Sequence, residues 1–279
     1  MNKDVLNISI QEKEIIKIRD GISIQENDLI TVEEPVEMAI EYGIESNRRK
    51  SNIAITMRTP GDDENLIVGF LFTEGIISNY AELIEVEALK NENRVIASIS
   101  SNKKINIDKL SRHLFTSSSC GVCGKTSIDN LKTTIPAITN SKDVRIYATI
   151  LNNLPKQLLQ DQSLFNKTGS IHAAGLYNTE GELITAKEDV GRHNALDKLI
   201  GWSLANGYSS LQEYIILLSG RISFELVQKA LMAGCKIVAA VGAPSSLAIE
   251  LADEYGMTLI GFLKQNRFNI YTHKDAIAF

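Results

Sequence analysis

The sequence predicts an α/β protein with two unlike halves: an N-terminal α+β domain rich in antiparallel strands, and a C-terminal α/β domain. Three observations carry this. The early part of the chain alternates polar and apolar residues in short runs, the period of half-buried strands. After Tyr214, continuous apolar runs of strand length alternate with segments of helical spacing. That alternation is the pattern of parallel βαβ units with both sheet faces covered. Between the halves lies a glycine-set thiol pair, Cys120-Gly-Val-Cys-Gly-Lys125. The resulting divisions are 1–115, a cysteine-bearing mobile loop over 116–135, and 136–279.

The elements follow in order. Glu14-Ile-Ile-Lys-Ile18 and Ile22-Ser-Ile24 flank Asp20-Gly21, whose residues supply the positive φ angles of a tight hairpin turn. Val36, Met38 and Ile40 alternate, as do Ile53, Ile55 and Met57, so each set suits a strand. Pro60-Gly61 breaks the second. Asp62 or Asp63 then caps a helix bearing Leu66, Ile67, Phe70 and Leu71, ended by Gly75. Ile84–Ala88 and Val95–Ile99 alternate again. Helical spacing runs from Asp143 to about Leu164, with a bend expected at Pro155. His172–Tyr177 and Glu182–Lys187 form a second hairpin around Asn178-Thr-Glu-Gly181. A helix over Asn194–Asn206 stops at Gly207. The strands Tyr214–Leu218, Lys236–Val241 and Met257–Phe262 are then separated by helices over Ser223–Ala233 and Ser245–Tyr255, ended by Gly234 and Gly256.

The composition bounds the function. With 279 residues, 44% hydrophobic and 23% charged, the chain can bury a sizeable core. A formal net charge of -5 argues against a general nucleic-acid binder. Three cysteines cannot build a disulfide framework. The polar start, Met1-Asn-Lys-Asp4, lacks the apolar core of a signal peptide. No run approaches the roughly 18 apolar residues of a membrane span. A cytoplasmic protein with reduced thiols and no membrane partner is the expectation.

The thiol pair admits three uses: zinc, redox exchange or sulfur carriage. Structural zinc wants four ligands, and Cys235 with isolated histidines does not supply them, so no metal site is expected. A thioredoxin-like pair follows an apolar strand, whereas this one follows Ser117-Ser-Ser119. An exposed thiol that accepts and hands on sulfur fits best, with Cys120 favoured over Cys123 as nucleophile and Lys125 available to stabilise a thiolate. Cys235, at the entry to a strand, reads as a buried and inert thiol.

A parallel sheet binds ligands beyond the carboxyl ends of its strands. Here the exits are Ser219-Gly-Arg-Ile-Ser223, Gly242-Ala-Pro-Ser-Ser246 and Lys264-Gln-Asn-Arg267. Small residues would let a ligand approach the backbone. Arg221, Lys264 and Arg267 add cations, and an arginine grips phosphate in a two-point fork. An anionic, phosphate-bearing ligand is expected, although serines and glycines also simply make turns and caps. In Glu188-Asp-Val-Gly-Arg-His-Asn194, Asp189, Arg192 and His193 either hold a substrate or position the cysteine loop, or Asp189 and Arg192 form an internal ion pair with Asn194 as a cap. His172 reads as structural.

These stretches resemble the FdhD/NarQ family. The resemblance rests on Thr59-Pro-Gly-Asp-Asp-Glu64, Gly69-Phe-Leu-Phe-Thr-Glu-Gly75, Cys120-Gly-Val-Cys-Gly-Lys125, Thr168-Gly-Ser-Ile-His-Ala-Ala174 and Glu188-Asp-Val-Gly-Arg-His-Asn-Ala-Leu-Asp197. Ser219-Gly-Arg-Ile-Ser223, Ala243-Pro-Ser-Ser246 and Arg267-Phe-Asn-Ile-Tyr271 complete it. It implies a sulfurtransferase that takes persulfide sulfur from a cysteine desulfurase onto Cys120 or Cys123. The recipient would be the molybdenum of the bis(molybdopterin guanine dinucleotide) cofactor used by formate dehydrogenase. The resemblance also implies a cytidine-deaminase-like, three-layer C-terminal domain, a homodimer, and a cofactor-binding stretch over Phe262, Leu263, Lys264, Gln265, Asn266 and Arg267. Arg221 and Ser219 join that set from the strand-exit argument. Ser170 stands where a glycine is expected, and Lys264 where arginine is common. A zinc deaminase is rejected, because His172 is followed by Ala173-Ala174 and lies after the cysteines. The alternative from another class is a cofactor-binding chaperone that carries no sulfur.

Overall fold

The computed structural model describes residues 8–103, Ile135 and 144–279. Cys120, Cys123 and the rest of the predicted 116–135 loop except Ile135 lie outside the described residues.

Strands β1 (Ile10–Arg19) and β2 (Ile22–Thr31) form the expected hairpin. Asp20 at φ 50 and Gly21 at φ 80 make the two-residue turn, the geometry whose twist matches paired strands. The hairpin is a sheet of its own. Several of its isoleucines face solvent, with Ile16 70%, Ile18 63% and Ile22 65% exposed. Its base is pinned where Ser9 Oγ donates to Pro60 O at 2.7 Å and Thr31 Oγ1 donates to Thr168 Oγ1 at 2.7 Å.

A four-stranded sheet follows in the order β4-β3-β6-β5, from β3 (Glu34–Tyr42), β4 (Arg49–Arg58), β5 (Leu83–Leu89) and β6 (Arg94–Ile99). β3–β4 and β5–β6 are antiparallel, as expected, but the central β3–β6 pair is parallel. Helix α1 (Asp63–Thr73) buries Leu66, Ile67, Val68, Leu71 and Phe72. Asp62 stands at its N-cap position but makes no capping bond. Its backbone is left-handed at φ 58, and its carboxylate accepts from Lys187 Nζ at 2.7 Å.

The segment expected as one bent helix is broken. β7 (Ile146–Tyr147), a helical turn at Ala148–Leu151 and α2 (Leu154–Asp161) replace it. Pro155 sits at the start of α2 rather than in its middle. There the missing N–H costs nothing, because first-turn amides have no partner within the helix.

The larger sheet has the order β13-β12-β11-β10-β8-β9. It uses β8 (His172–Tyr177), β9 (Leu183–Asp189), β10 (Ile215–Leu218), β11 (Ile237–Ala240), β12 (Thr258–Lys264) and β13 (Arg267–Thr272). β10, β11 and β12 are parallel to one another, as the apolar runs predict. β8 and β13 flank them antiparallel, so the sheet is mixed. The described chain ends on a two-residue strand, β14 (Ile277–Ala278), paired with β7.

Both faces of the large sheet are covered, which explains the lack of polar alternation in β10. Ile216 and Leu218 face a core shared with α3 (Arg192–Ala205), α4 (Phe224–Met232) and α5 (Ser246–Glu254). Ile215 and Leu217 face a second core with Leu151, Leu154 and Leu158. The first core does not stop at the sheet. It runs through α3 and α1 to Val36, Met38, Ile53 and Val95 of the smaller sheet. Gly75, Gly207, Gly234 and Gly256 take positive φ just beyond helices, as expected.

α1 and α3 cross at unusually close range. A Cβ on Gly69 would lie 1.9 Å from Asp197 O, and one on Gly201 would lie 1.9 Å from Asn65 O. Each glycine therefore faces the backbone of the opposite helix.

Candidate functional site

The three parallel strands deliver their exits to one edge. Ile222 N donates to Ala243 O at 3.0 Å, Ser245 N to Ile222 O at 3.0 Å, Gly242 N to Gly220 O at 3.2 Å, and Phe262 N to Gly242 O at 3.0 Å. These bonds zip the loops over 219–223 and 242–246 together and dock Phe262 beside them. They also change the reading of the glycines. A Cβ on Gly242 would stand 2.8 Å from Gly220 O, and one on Gly261 2.8 Å from Pro244 Cδ. The close approach they permit is of loop to loop. Ser245 caps α5 as expected, its Oγ accepting from Ala248 N at 3.3 Å.

The residues expected at the site divide into two sets. Arg221, Lys264, Gln265, Asn266 and Arg267 are exposed on this edge. The other set is already engaged. Ser219 Oγ accepts from Ala173 N at 2.8 Å, tying the start of β8 to the end of β10. Leu263 is fully buried in the second core, so only its backbone faces the edge. Lys264 and Arg267 are paired across a two-residue turn in which Asn266 has φ 64.

Phe262 is the outlier. It holds φ 53 and is 44% exposed. A bulky residue in the left-handed region costs roughly 1–3 kcal/mol, and such strain concentrates at ligand-binding positions. A half-exposed aromatic on the same edge as three exposed cations offers a stacking face and charge together.

The loop over 188–194 packs next to this edge, where His193 meets Ser223, but without the internal Asp189–Arg192 pair and Asn194 cap of the second sequence reading. Asp189 is fully buried and pairs with Lys198 at 2.7 Å, not with Arg192. It also accepts from Gly191 N at 2.8 Å, Asn194 Nδ2 at 3.2 Å and Thr59 N at 3.2 Å. Lys198 Nζ donates to Thr59 O at 2.9 Å. Gly191, not Asn194, is the N-cap residue of α3, and no side chain caps it. Asn194 instead donates to Met57 O at 2.8 Å.

His193 Nε2 lies 3.2 Å from Ser223 Oγ and 3.3 Å from Glu225 Oε2. Both partners meet the same ring nitrogen. A nucleophilic serine triad needs the carboxylate on the other nitrogen, so this is not one. Burial alone would push the Glu225 carboxyl up. The His193 hydrogen bond and charge, Ser223 and Arg192 outweigh it and hold Glu225 below the usual carboxylate range.

His172 is half-buried at the start of β8, and a Cβ on Gly220 would come within 3.1 Å of its Nδ1. Burial first, then the charges of Arg192 and His193, push its imidazole below the ordinary value, against the pull of Asp189. The folded state therefore binds this proton less well than the unfolded chain. Its contribution to stability is complete above the ordinary histidine pKa of about 6.5 and is lost as pH falls below it. Wild type is expected to lose Tm more steeply than His172→Gln between about pH 7.5 and about pH 5. Equal slopes in a thermal-melt series would remove the assignment.

Sequence reasoning missed a second buried network. Lys229 Nζ donates to Asp197 Oδ1 at 3.0 Å, Asp197 Oδ2 at 2.9 Å and Thr73 Oγ1 at 2.9 Å. Burial opposes its charge, and Asp197 and Glu74 hold the ammonium above its usual range. The available signal was Asp197-Lys198 set within the apolar surroundings of Leu196, Leu199 and Ile200. Cys235 is fully buried, as expected. Burial pushes its thiol up to about 12, so it is inert.

The comparisons with known proteins cover nearly the whole chain. The profile described as the FdhD/NarQ family matches residues 32–278. The sulfur carrier protein FdhD of Streptomyces coelicolor is 41% identical over 277 residues, covering 96% of this chain and 95% of the relative. That of Saccharolobus solfataricus is 36% identical over 272 residues, covering 98% and 100%. Among solved structures, a formate dehydrogenase accessory protein from Desulfotalea psychrophila superposes with a TM-score of 0.73. It covers 96% of this chain and 99% of that one at 22% identity, a likeness of fold. No helix among the described residues is long and apolar enough to cross a membrane. With a family profile spanning 32–278 and relatives at 41% and 36% identity end to end, the chain belongs to the FdhD/NarQ family.

Proposed function

We propose that this chain is a sulfurtransferase of formate dehydrogenase maturation. Cys120, with Cys123 beside it, receives sulfur from a cysteine desulfurase and passes it to the molybdenum of a bound bis(molybdopterin guanine dinucleotide). In the loading step, the desulfurase persulfide gives its outer sulfur to the Cys120 thiolate. The desulfurase thiol is regenerated and a persulfide is left on this chain. The cofactor is the client here, not a resident group.

The observation that carries the reading is the sheet edge. Phe262 is strained and half exposed where it can stack on a base. Arg221, Lys264 and Arg267 are exposed on the same edge, available to meet phosphate. Such a constellation suits a guanine nucleotide moiety. Family membership adds the sulfur-carrying role named for the relatives. A deaminase-like architecture for the C-terminal domain, a cytoplasmic setting and assembly as a homodimer belong to the same proposal. The solvent-facing isoleucines of the β1–β2 hairpin support association.

Intact-mass spectrometry after incubation with a desulfurase and cysteine tests it. Wild type is expected to gain one or more sulfur atoms. Cys120→Ser is expected to lose the gain, with Cys123→Ser reporting whether the second thiol also loads. If Cys120→Ser plus Cys123→Ser left formate dehydrogenase fully active in cells while Arg267→Ala abolished it, the chain would be a cofactor chaperone without sulfur transfer.

A further inference from the structure

The proposed site leaves a second set of groups on the same edge unused. Arg192, His193 and His172 gather where the start of α3 meets the loop over 219–223. His193 is fixed by Ser223 and Glu225, and His172 stands against Gly220. We propose that Arg192, flanked by His172 and His193, forms an anion-binding position that takes a phosphate group of the client.

Four observations carry it. The first is Arg192 itself. Its Nε is buried and has no hydrogen-bond partner among the described residues. A buried donor left without an acceptor costs about 1–3 kcal/mol, more when charged, and an incoming anion would remove that cost. Secondly, the nearby carboxylates are committed elsewhere. Asp189 is held by Lys198, Gly191, Asn194 and Thr59, and Glu225 by His193 and Ser223. Among the described residues neither is an ion-pair partner of Arg192, although the charge of Glu225 attracts it at longer range, so the guanidinium keeps donors free for an incoming anion.

Thirdly, α3 begins at Gly191 with no side-chain cap. The positive end of this 14-residue helix therefore faces the same place as Arg192 and adds to the attraction. Finally, burial and the charge of Arg192 push the His172 imidazole below its ordinary range and so favour its neutral form. It can therefore donate one hydrogen bond to an anion without adding a buried charge.

The position also fits the geometry of the edge. β8 and β12 are separated by β10 and β11, three inter-strand steps of about 4.8 Å each. A lone phosphate cannot touch both Phe262 and Arg192 across that distance. A nucleotide can, with its base at Phe262 and its phosphates directed along the strand exits toward α3. The identity of the client rests on the function proposed above; the anion position does not.

Titration calorimetry on the full-length chain separates the two. The probes are inorganic pyrophosphate, guanosine and guanosine diphosphate. Arg192→Gln is expected to weaken pyrophosphate and guanosine diphosphate by at least about tenfold, the size of a charge-assisted hydrogen bond, and to leave guanosine unchanged. Phe262→Ala is expected to weaken guanosine and guanosine diphosphate and to leave pyrophosphate unchanged. Arg192→Lys, which keeps the charge without the fork, is expected to retain part of the pyrophosphate affinity, and guards against a variant that fails to fold. Equal pyrophosphate affinity in wild type and Arg192→Gln would overturn the proposal. So would absence of pyrophosphate binding to wild type at about millimolar concentration. If pyrophosphate binds through Arg192 while guanosine does not bind, the anion position stands and the guanine-nucleotide client falls.

Discussion

Gly69→Ala is expected to unfold the protein or leave it insoluble. The added methyl would lie 1.9 Å from Asp197 O, 2.6 Å from Asp197 C and 2.9 Å from its Cα. All three are backbone atoms of α3 and cannot rotate away. Relief requires α1 and α3 to separate by more than an ångström. The same crossing carries the mirror contact of Gly201 on Asn65 O. It also carries the buried bonds of Thr73 and Lys229 to Asp197, so these would stretch together. Overpacking alone costs about 1–3 kcal/mol. With the network disrupted, a loss of about 4 kcal/mol or more is expected, a large share of ordinary domain stability. Gly256→Ala is the control. Nothing lies within 4 Å of its Cβ position, but its φ is +68, so only about 1–2 kcal/mol of backbone strain is expected. Urea unfolding of both variants checks the contrast. A Gly69→Ala protein as stable as Gly256→Ala would mean that the helices do not touch backbone to backbone.

Asp189→Ala is expected to cost about 3–5 kcal/mol, because it leaves the Lys198 ammonium buried without its carboxylate. Lys198 is 2% and Asp189 0% exposed, so water screens the pair little. Asp189 also fixes the Gly191 amide and the Asn194 side chain, so the start of α3 would lose its anchor at the same time. Replacing both residues, Asp189→Ala with Lys198→Met, removes the orphaned charge and is expected to recover most of the loss. A double-mutant cycle in urea measures this. If the double variant is as unstable as the sum of the singles, Lys198 is not the partner that makes Asp189 costly to remove.

Much of the fold was legible because its signals are local. Asp20-Gly21 names its own turn, and Asn178-Thr-Glu-Gly181 names the second. Four glycines mark helix ends by the one conformation that they adopt freely. The uninterrupted apolar runs of β10, β11 and β12 required a sheet covered on both faces, and a parallel sheet directs ligands to one edge. The location of Phe262, Arg221, Lys264 and Arg267 on one edge follows from that rule. What stayed hidden depends on partners distant in sequence. The parallel β3–β6 pair needs a crossover that no turn motif announces. Pro155 has the same φ in the first turn of a helix as at a bend, so its spacing could not choose between them. Asp189 lies 130 residues from Thr59, to whose amide it is bonded, and no periodicity reports such a pairing. The glycines at 220 and 242 were read as room for a ligand, when the nearest neighbours they make room for are other parts of the chain. The cysteine pair was readable as chemistry from its spacing alone, and Cys120 and Cys123 remain assignments of the sequence and the family.

The notch where Gly69 and Gly201 interlock fixes how the molecule is inherited. Two helices from opposite halves of the sequence share one interface in which a glycine on each side meets the backbone of the other. Neither half presents a surface that water would tolerate alone, and neither can drift in sequence at these positions without the other drifting in step. The two halves are thus a single unit of exchange. A recombinant that takes its first half from one relative and its second from another will fold only where both parents carry the same notch.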